Sequence, residues 1–495
     1  MAQLGSIGPD KVFYYFKELM NIPHPSFHTE GVRQYIICFA KDRGLDYYAD
    51  EAGNVLVKCP ATAGYEDHDA VILQGHIDMV PAKVSGSKHN FETDALVLDE
   101  EELDKGILTA VGTTLGGDDG IAVAYMLSIM DSDHPHPALE CLFTNNEEVG
   151  LLGAAAFDCS KLSGSRLINI DSEDENIFIT GCAGGLRADI KRDISMRKVL
   201  GQGVRIVISG LKGGHSGSDI DKERASGIIL LARVLNELSK NSEFAYELGA
   251  LYGGLADNAI CNEAFAVIYI KAEFIGILEC ICSDMQASFR QEYALTDPDI
   301  TIKTVRCNAD NDAAKEEDYE AIMHILSQLP YGIVARKPNG GMPVTSLNPG
   351  ILRFNTDDDG NLLKCKDDVA PFLIAYSIRS SFESAKTALT DKLRRLSEYT
   401  GGSISIHGEY PAWPDKMDSP IRDIIRKLYS DMDKEPVFTT IHAGLECGIF
   451  ASKMHGVDMI SMGPDMRNVH TYNETLDIES SIRVYNLTIK LLSML

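Results

Sequence analysis

The chain has 495 residues, enough for two or three domains. Its 46 Lys and Arg against 73 Asp and Glu give a formal net charge of −27. That balance speaks against a nucleic-acid binder, which needs a basic face, and against docking on anionic lipid. Apolar residues at 44% are the ordinary share of a soluble globular protein. The 11 cysteines are scattered and include no Cys-x-x-Cys, so free thiols in a reducing cytoplasm are expected. No secretory signal or membrane-length apolar run is visible, and a cytoplasmic location is expected.

In chain order, helical periodicity covers Lys11–Met20 and Glu30–Arg43, the latter stopping at Gly44. Val55–Lys58 and Ala70–Leu73 are short apolar runs with β-branched residues, hence buried strands. A strand is also expected at Val111–Leu115, then a glycine turn and an apolar helix at Ile121–Met130. Leu139–Thr144 and Arg166–Ile170 are further strands. This alternation predicts an α/β domain with a mostly parallel sheet and helices on both faces.

The glycine-dense Thr180–Gly185 marks a hinge, and the rhythm then changes. Strands are expected at Val204–Leu211, Ala264–Ile270, Ile300–Val305, Leu352–Asn355, Phe372–Arg379 and Ser403–His407. Helices are expected at Lys222–Leu238, Gly276–Arg290, Glu316–Gln328 and Ser384–Leu396. The pattern suggests an α+β insertion with an internal pseudo-repeat. The α/β rhythm resumes from Ile421, with a strand at Val457–Met462 and a last helix at Ser480–Leu492. The expected domains are 1–184 plus 409–495 for the discontinuous catalytic domain, and 185–408 for an inserted lid.

Acids and histidines follow the strand ends. His76 and Asp78 follow Ala70–Leu73, Asp118 opens the helix after the glycine turn, and Glu147 and Glu148 follow Leu139–Thr144. Asp171 follows Arg166–Ile170, and His470 lies beyond Val457–Met462. Ligands of open parallel sheets bind past the carboxyl ends of the strands, so these residues are candidates to converge. One such cluster alone is usually a solvated loop; five in equivalent positions are not. Two histidines with three carboxylates suit zinc, with cobalt or manganese as alternatives. Five ligands exceed one tetrahedral site and fit two metals if one carboxylate bridges. Asp78, two residues from His76 on one strand face, is placed to orient the imidazole. Glu147 is left over as a general base.

These motifs resemble those of the co-catalytic zinc exopeptidases that include aminoacylase and carboxypeptidase G. Within that family GHIDMV, GTTLGGDDGIA, NNEEVGLLGA, LINIDSED, KGGHSG, NAICNE, TSLN, YSIRSS, IHAGLECG and VHT resemble the PepD-type group of aminoacylhistidine, or cytosol non-specific, dipeptidases. The segments run from about residue 75 to 471, nearly the whole chain. The resemblance implies that His76 and Asp171 bind one zinc, Glu148 and His470 the other, and that Asp118 bridges. It implies a cis Asp118–Asp119 peptide, Asp78 orienting His76, and Glu147 passing a proton from water to the leaving amine. It also implies that His215 polarises the scissile carbonyl or holds its oxyanion, that Arg379 pairs with the substrate carboxylate, and that Asn258 and Glu446 contact substrate, Glu446 through the free amino group. Two departures stand out: Cys261 where a proline is frequent, and Asp119 where asparagine is. The implied activity is dizinc hydrolysis of dipeptides with a free N-terminus, Xaa-His and broader, by a monomer or homodimer. The rivals are an N-acyl amino-acid deacylase or carboxypeptidase, and a non-enzymatic metal-binding relic.

Overall fold

The structure, a computed structural model, describes residues 4–242, 244–307, 311–338, 341–364, 368–416 and 418–495. The chain divides into two compact units. The first is Met1–Cys182 with Trp413–Thr440 and Leu445–Leu495; the second is Ala183–Ala412 with Ile441–Gly444.

The first unit holds an eight-stranded sheet in the order Asp46–Ala49, Val55–Cys59, Leu139–Thr144, Val71–His76, Arg166–Asn169, Asp458–Ser461, Ile177–Cys182, Val437–Ile441. The four central strands pair parallel. Val55–Cys59 and Ile177–Cys182 pair antiparallel on either side of them, so the sheet is mixed. Two of the central strands are buried end to end because helices cover them. Val71–His76 and Leu139–Thr144 expose nothing, and the adjacent helix Gly117–Met130 is apolar almost all round. Burial of this kind, about 25 cal/mol per Å² of apolar surface, is what holds a parallel sheet together.

One expected strand is absent. Val111–Leu115 reads as a strand because of its β-branched residues, but it forms a loop. Gly112 and Gly116 both have φ of 69°, a conformation that strands do not contain. The backbone N–H of Leu115 goes to a side chain, Glu474, rather than to a neighbouring strand.

The second unit is built on a ten-stranded sheet whose pairings are antiparallel. Alternation decides its faces. Val204, Ile206 and Ile208 point into one apolar cluster with Leu230, Leu278, Ile322 and Leu393 of its four helices. The longest strand, Gly184–Lys198, starts within the stretch read as a hinge and was not expected beyond it. Its signal was present: Leu186, Ala188 and Ile190 alternate with polar residues and are buried. The helix expected at Lys222–Leu238 starts at Gly227, because Glu223 with φ of 50° interrupts the path before it. Among the described residues no helix is long and apolar enough to cross a membrane, and the described cysteines are all unpaired.

Candidate metal centre

The parallel register aligns the ligand-bearing strand ends. His76 stands opposite Thr144, three residues before Glu147, and Gln74 stands opposite Asn169, two before Asp171. Asp118 opens its helix next to a cis Asp118–Asp119 peptide. His470, with φ of 63°, lies in the turn between the strands Met466–Arg467 and Thr475–Asp477.

Asp118 is the pivot. Its Oδ1 lies 3.0 Å from His76 Nε2, and its Oδ2 lies 3.1 Å from His470 Nε2. His76 Nε2 is 3.8 Å from Asp171 Oδ1, and His470 Nε2 is 3.0 Å from Glu148 Oε1. Ligand atoms of Asp118, Glu148 and His470 lie within 4.8 Å of one another, as do those of His76, Asp119 and Asp171. The five residues singled out in the sequence are therefore brought together, with Asp119 and Glu147 among them.

The electrostatics show what such a cluster lacks. Burial and then neighbouring negative charge push the carboxyls of Glu147, Asp171 and Asp119 well above the usual carboxylate range. Burial opposes ionisation of Asp118 too, but hydrogen bonds from His470 and His76 outweigh it and hold that carboxyl low. Burial disfavours a charged His470, yet the carboxylates of Asp118 and Glu148 raise it to about 11. So many buried acids around two imidazoles, with oxygen and nitrogen donors gathered in groups, is a donor set that divalent cations fit.

Asp78 does more than expected. His76 Nδ1 lies 2.9 Å from the Asp78 backbone carbonyl and 3.6 Å from its carboxylate. That carboxylate accepts from Ser26 Oγ at 2.7 Å and from the backbone N–H of Glu147 at 2.9 Å. It therefore holds the loop of the candidate base as well as facing the imidazole. Asp119 accepts the His76 backbone N–H at 3.1 Å through Oδ2, while its buried Oδ1 has no hydrogen-bond partner. Gly75 is required there, since a Cβ would come 2.5 Å from Asp119 Oδ2.

Beneath the candidate ligands runs a polar layer of which only Glu446 was singled out in the sequence, and then as a substrate contact. Asn169 donates to Gln74 at 2.8 Å; Gln74 and Thr144 donate to Glu446 Oε2 at 2.5 and 2.6 Å. Glu446 is fully buried, and burial raises its carboxyl to about 7. Gln74 and Asn169 lie two residues before His76 and Asp171, on the same strand faces, and that spacing was the available signal.

His215, Arg379 and Asn258 lie in the second unit. Strand residue His215 pairs with Ala259, next to Asn258, whose carbonyl accepts the Ser216 N–H at 2.7 Å. His215 Nε2 is 3.3 Å from Arg379 Nη2, and Arg379 Nη1 donates to the Tyr410 hydroxyl at 2.8 Å. His215 Nδ1 accepts the N–H groups of Gly217 and Ser218, which places the proton of a neutral ring on Nε2. Ser346, cross-strand from Arg379, meets His442 Nε2 at 2.7 Å. Burial and then the Arg379 charge lower His442 to about 4. Ser346 and His442 were not singled out individually, although they sit in the TSLN and IHAGLECG segments.

The family model of peptidase family M20/M25/M40 matches residues 72–493, and the chain belongs to that family. The cytosol non-specific dipeptidase of Escherichia coli (strain K12) is 32% identical over 499 residues, covering 99% of each chain. The crystal structure of aminoacylhistidine dipeptidase from Vibrio alginolyticus has a TM-score of 0.85 at 31% identity and covers 100% of this chain and 99% of that one. Aminopeptidase PepT from Bacillus cereus, at 15% identity and a TM-score of 0.53 over 97% of each chain, shares the fold.

Proposed function

We propose that the chain is a cytoplasmic dipeptidase that hydrolyses dipeptides with a free N-terminus, Xaa-His and broader, at a pair of divalent cations. Zinc is the assigned metal, with cobalt or manganese as substitutes. The carrying observation is Asp118, whose two carboxylate oxygens each face a different histidine at 3.0 and 3.1 Å. That is the arrangement a bridging carboxylate needs, and the two full-length relatives named as dipeptidases support the same reading.

His76 and Asp171 would hold one cation, Glu148 and His470 the other, with Asp118 shared. When bound, the pair supplies Lewis-acid polarisation of the carbonyl and makes water more acidic. Glu147 takes the proton of the attacking water as the C–O bond forms, then delivers it to the amine nitrogen as the C–N bond breaks. The Asp78 carboxylate fixes the Glu147 backbone for this transfer.

The first unit is assigned to catalysis and the second to a lid. His215, Arg379 and Asn258 are assigned to substrate. Arg379 Nη2 lies 3.3 Å from His215 Nε2, and a guanidinium is suited to bind an anion such as a carboxylate or oxyanion. Purified protein supplied with zinc is expected to cleave an unblocked dipeptide and to leave its N-acetylated form intact. Preference for the acetylated form would favour a deacylase.

A further inference from the structure

Glu474 is an acid placed where more negative charge is least welcome, close to Asp118. It is 2% exposed, yet it does not join the ligands. Both oxygens face backbone. Oε2 accepts from Leu115 N at 2.7 Å and Gly116 N at 3.1 Å; Oε1 accepts from Gly117 N at 2.8 Å and Asp118 N at 3.3 Å. Gly116, with φ of 69°, turns the chain so that these successive N–H groups converge, the concave arrangement that cradles anions. Gly117 leaves the room, since a Cβ would come 3.1 Å from Oε1.

The same residue stands four positions after His470 and is anchored at its own backbone. Its N–H donates to the Thr471 carbonyl at 3.1 Å, and its carbonyl accepts from Thr109 Oγ at 2.7 Å. One side chain therefore ties the short loop that presents His470 to the glycine loop that presents Asp118. These two ligands themselves meet at 3.1 Å.

We propose that Glu474 is a positioning residue that sets the spacing of Asp118 and His470 and so couples the two cation sites. The inference rests on the paired-cation reading above. Because Asp118 is shared, a loosened glycine loop weakens both sites together, and orienting partners of this kind are typically worth about 10- to 100-fold in metal affinity. Glu474→Gln keeps the shape but turns an amide NH₂ toward two of the four N–H donors.

The test is titration of metal-stripped full-length protein with zinc alone, read by a competing chromophoric chelator, with the visible spectrum of the cobalt-loaded protein as a second readout. Parent protein is expected to bind two zinc ions. Glu474→Gln is expected to bind both about 10- to 100-fold more weakly and to give an altered cobalt spectrum. Thr109→Val, which removes only the anchor on the Glu474 carbonyl, is expected to move both readouts the same way by less. It decides the matter if Glu474→Gln does not fold. Unchanged zinc affinities and cobalt spectrum, whatever the melting temperature, would overturn the proposal, as would weakening at one site alone. A parent that binds fewer than two ions overturns the paired-cation reading itself.

Discussion

Asp78 accepts the backbone N–H of Glu147 at 2.9 Å through the carboxylate that also lies 3.6 Å from His76 Nδ1. One buried acid thus fixes both a candidate ligand and the candidate base. Because the base is held by its backbone, its side chain can be changed without moving the ligands. Glu147→Gln is expected to retain both metals and to lose at least about a hundredfold in kcat. Metal content and turnover measured on the same preparation check this; loss of metal would show that Glu147 is a ligand.

Asp118→Ala should behave differently. Without the shared carboxylate each cation loses a ligand, and the remaining acids crowd without compensation. Both metals are expected to leave together, with a lower melting temperature in the presence of zinc. One zinc retained at full occupancy would refute the bridging assignment.

Glu446 has a prediction of its own. Its Oε2 gathers Gln74 and Thr144 from two ligand-bearing strands. Glu446→Leu leaves those donors unsatisfied and is expected to weaken zinc binding by about tenfold, whereas Glu446→Gln keeps an acceptor and stays within a few-fold of the parent. A rise in KM confined to substrates with a free amino group, with zinc binding intact, would instead assign Glu446 to the substrate amine.

His442 provides a pH test. Its folded pKa of about 4 lies below the ordinary 6.5, so the unfolded chain binds the extra proton between those values. The neutral ring's contribution, up to about 3 kcal/mol from this shift, is complete above pH 6.5 and is lost as pH falls toward 4. Melting temperature is expected to fall more steeply over that window in the parent than in His442→Gln. Parallel curves would contradict the assignment.

Three candidate ligands were legible because each lies at or just past the end of an apolar strand, and the carboxyl edge of a sheet gathers the residues beyond its strands. His76, Glu148 and Asp171 needed only that rule. Glu474 escaped, and Glu446 was named only as a substrate contact, because their partners are backbone N–H groups and strand-face side chains from remote segments, which leave no local pattern. Val111–Leu115 misled because β-branched composition describes a strand and a glycine-turned loop equally well. Gly184–Lys198 was missed because it begins with glycines, which more often end an element than start one. Arg379 and His215 lie on strands of different sheets, and their approach leaves no motif in the sequence.

The paired site shared through Asp118 is tested most directly by following turnover of an unblocked dipeptide as zinc is returned to the metal-stripped protein. Activity is expected to be absent without metal, low with one equivalent, and to reach its plateau at two. Full activity without metal, or a plateau at one equivalent, would contradict the account.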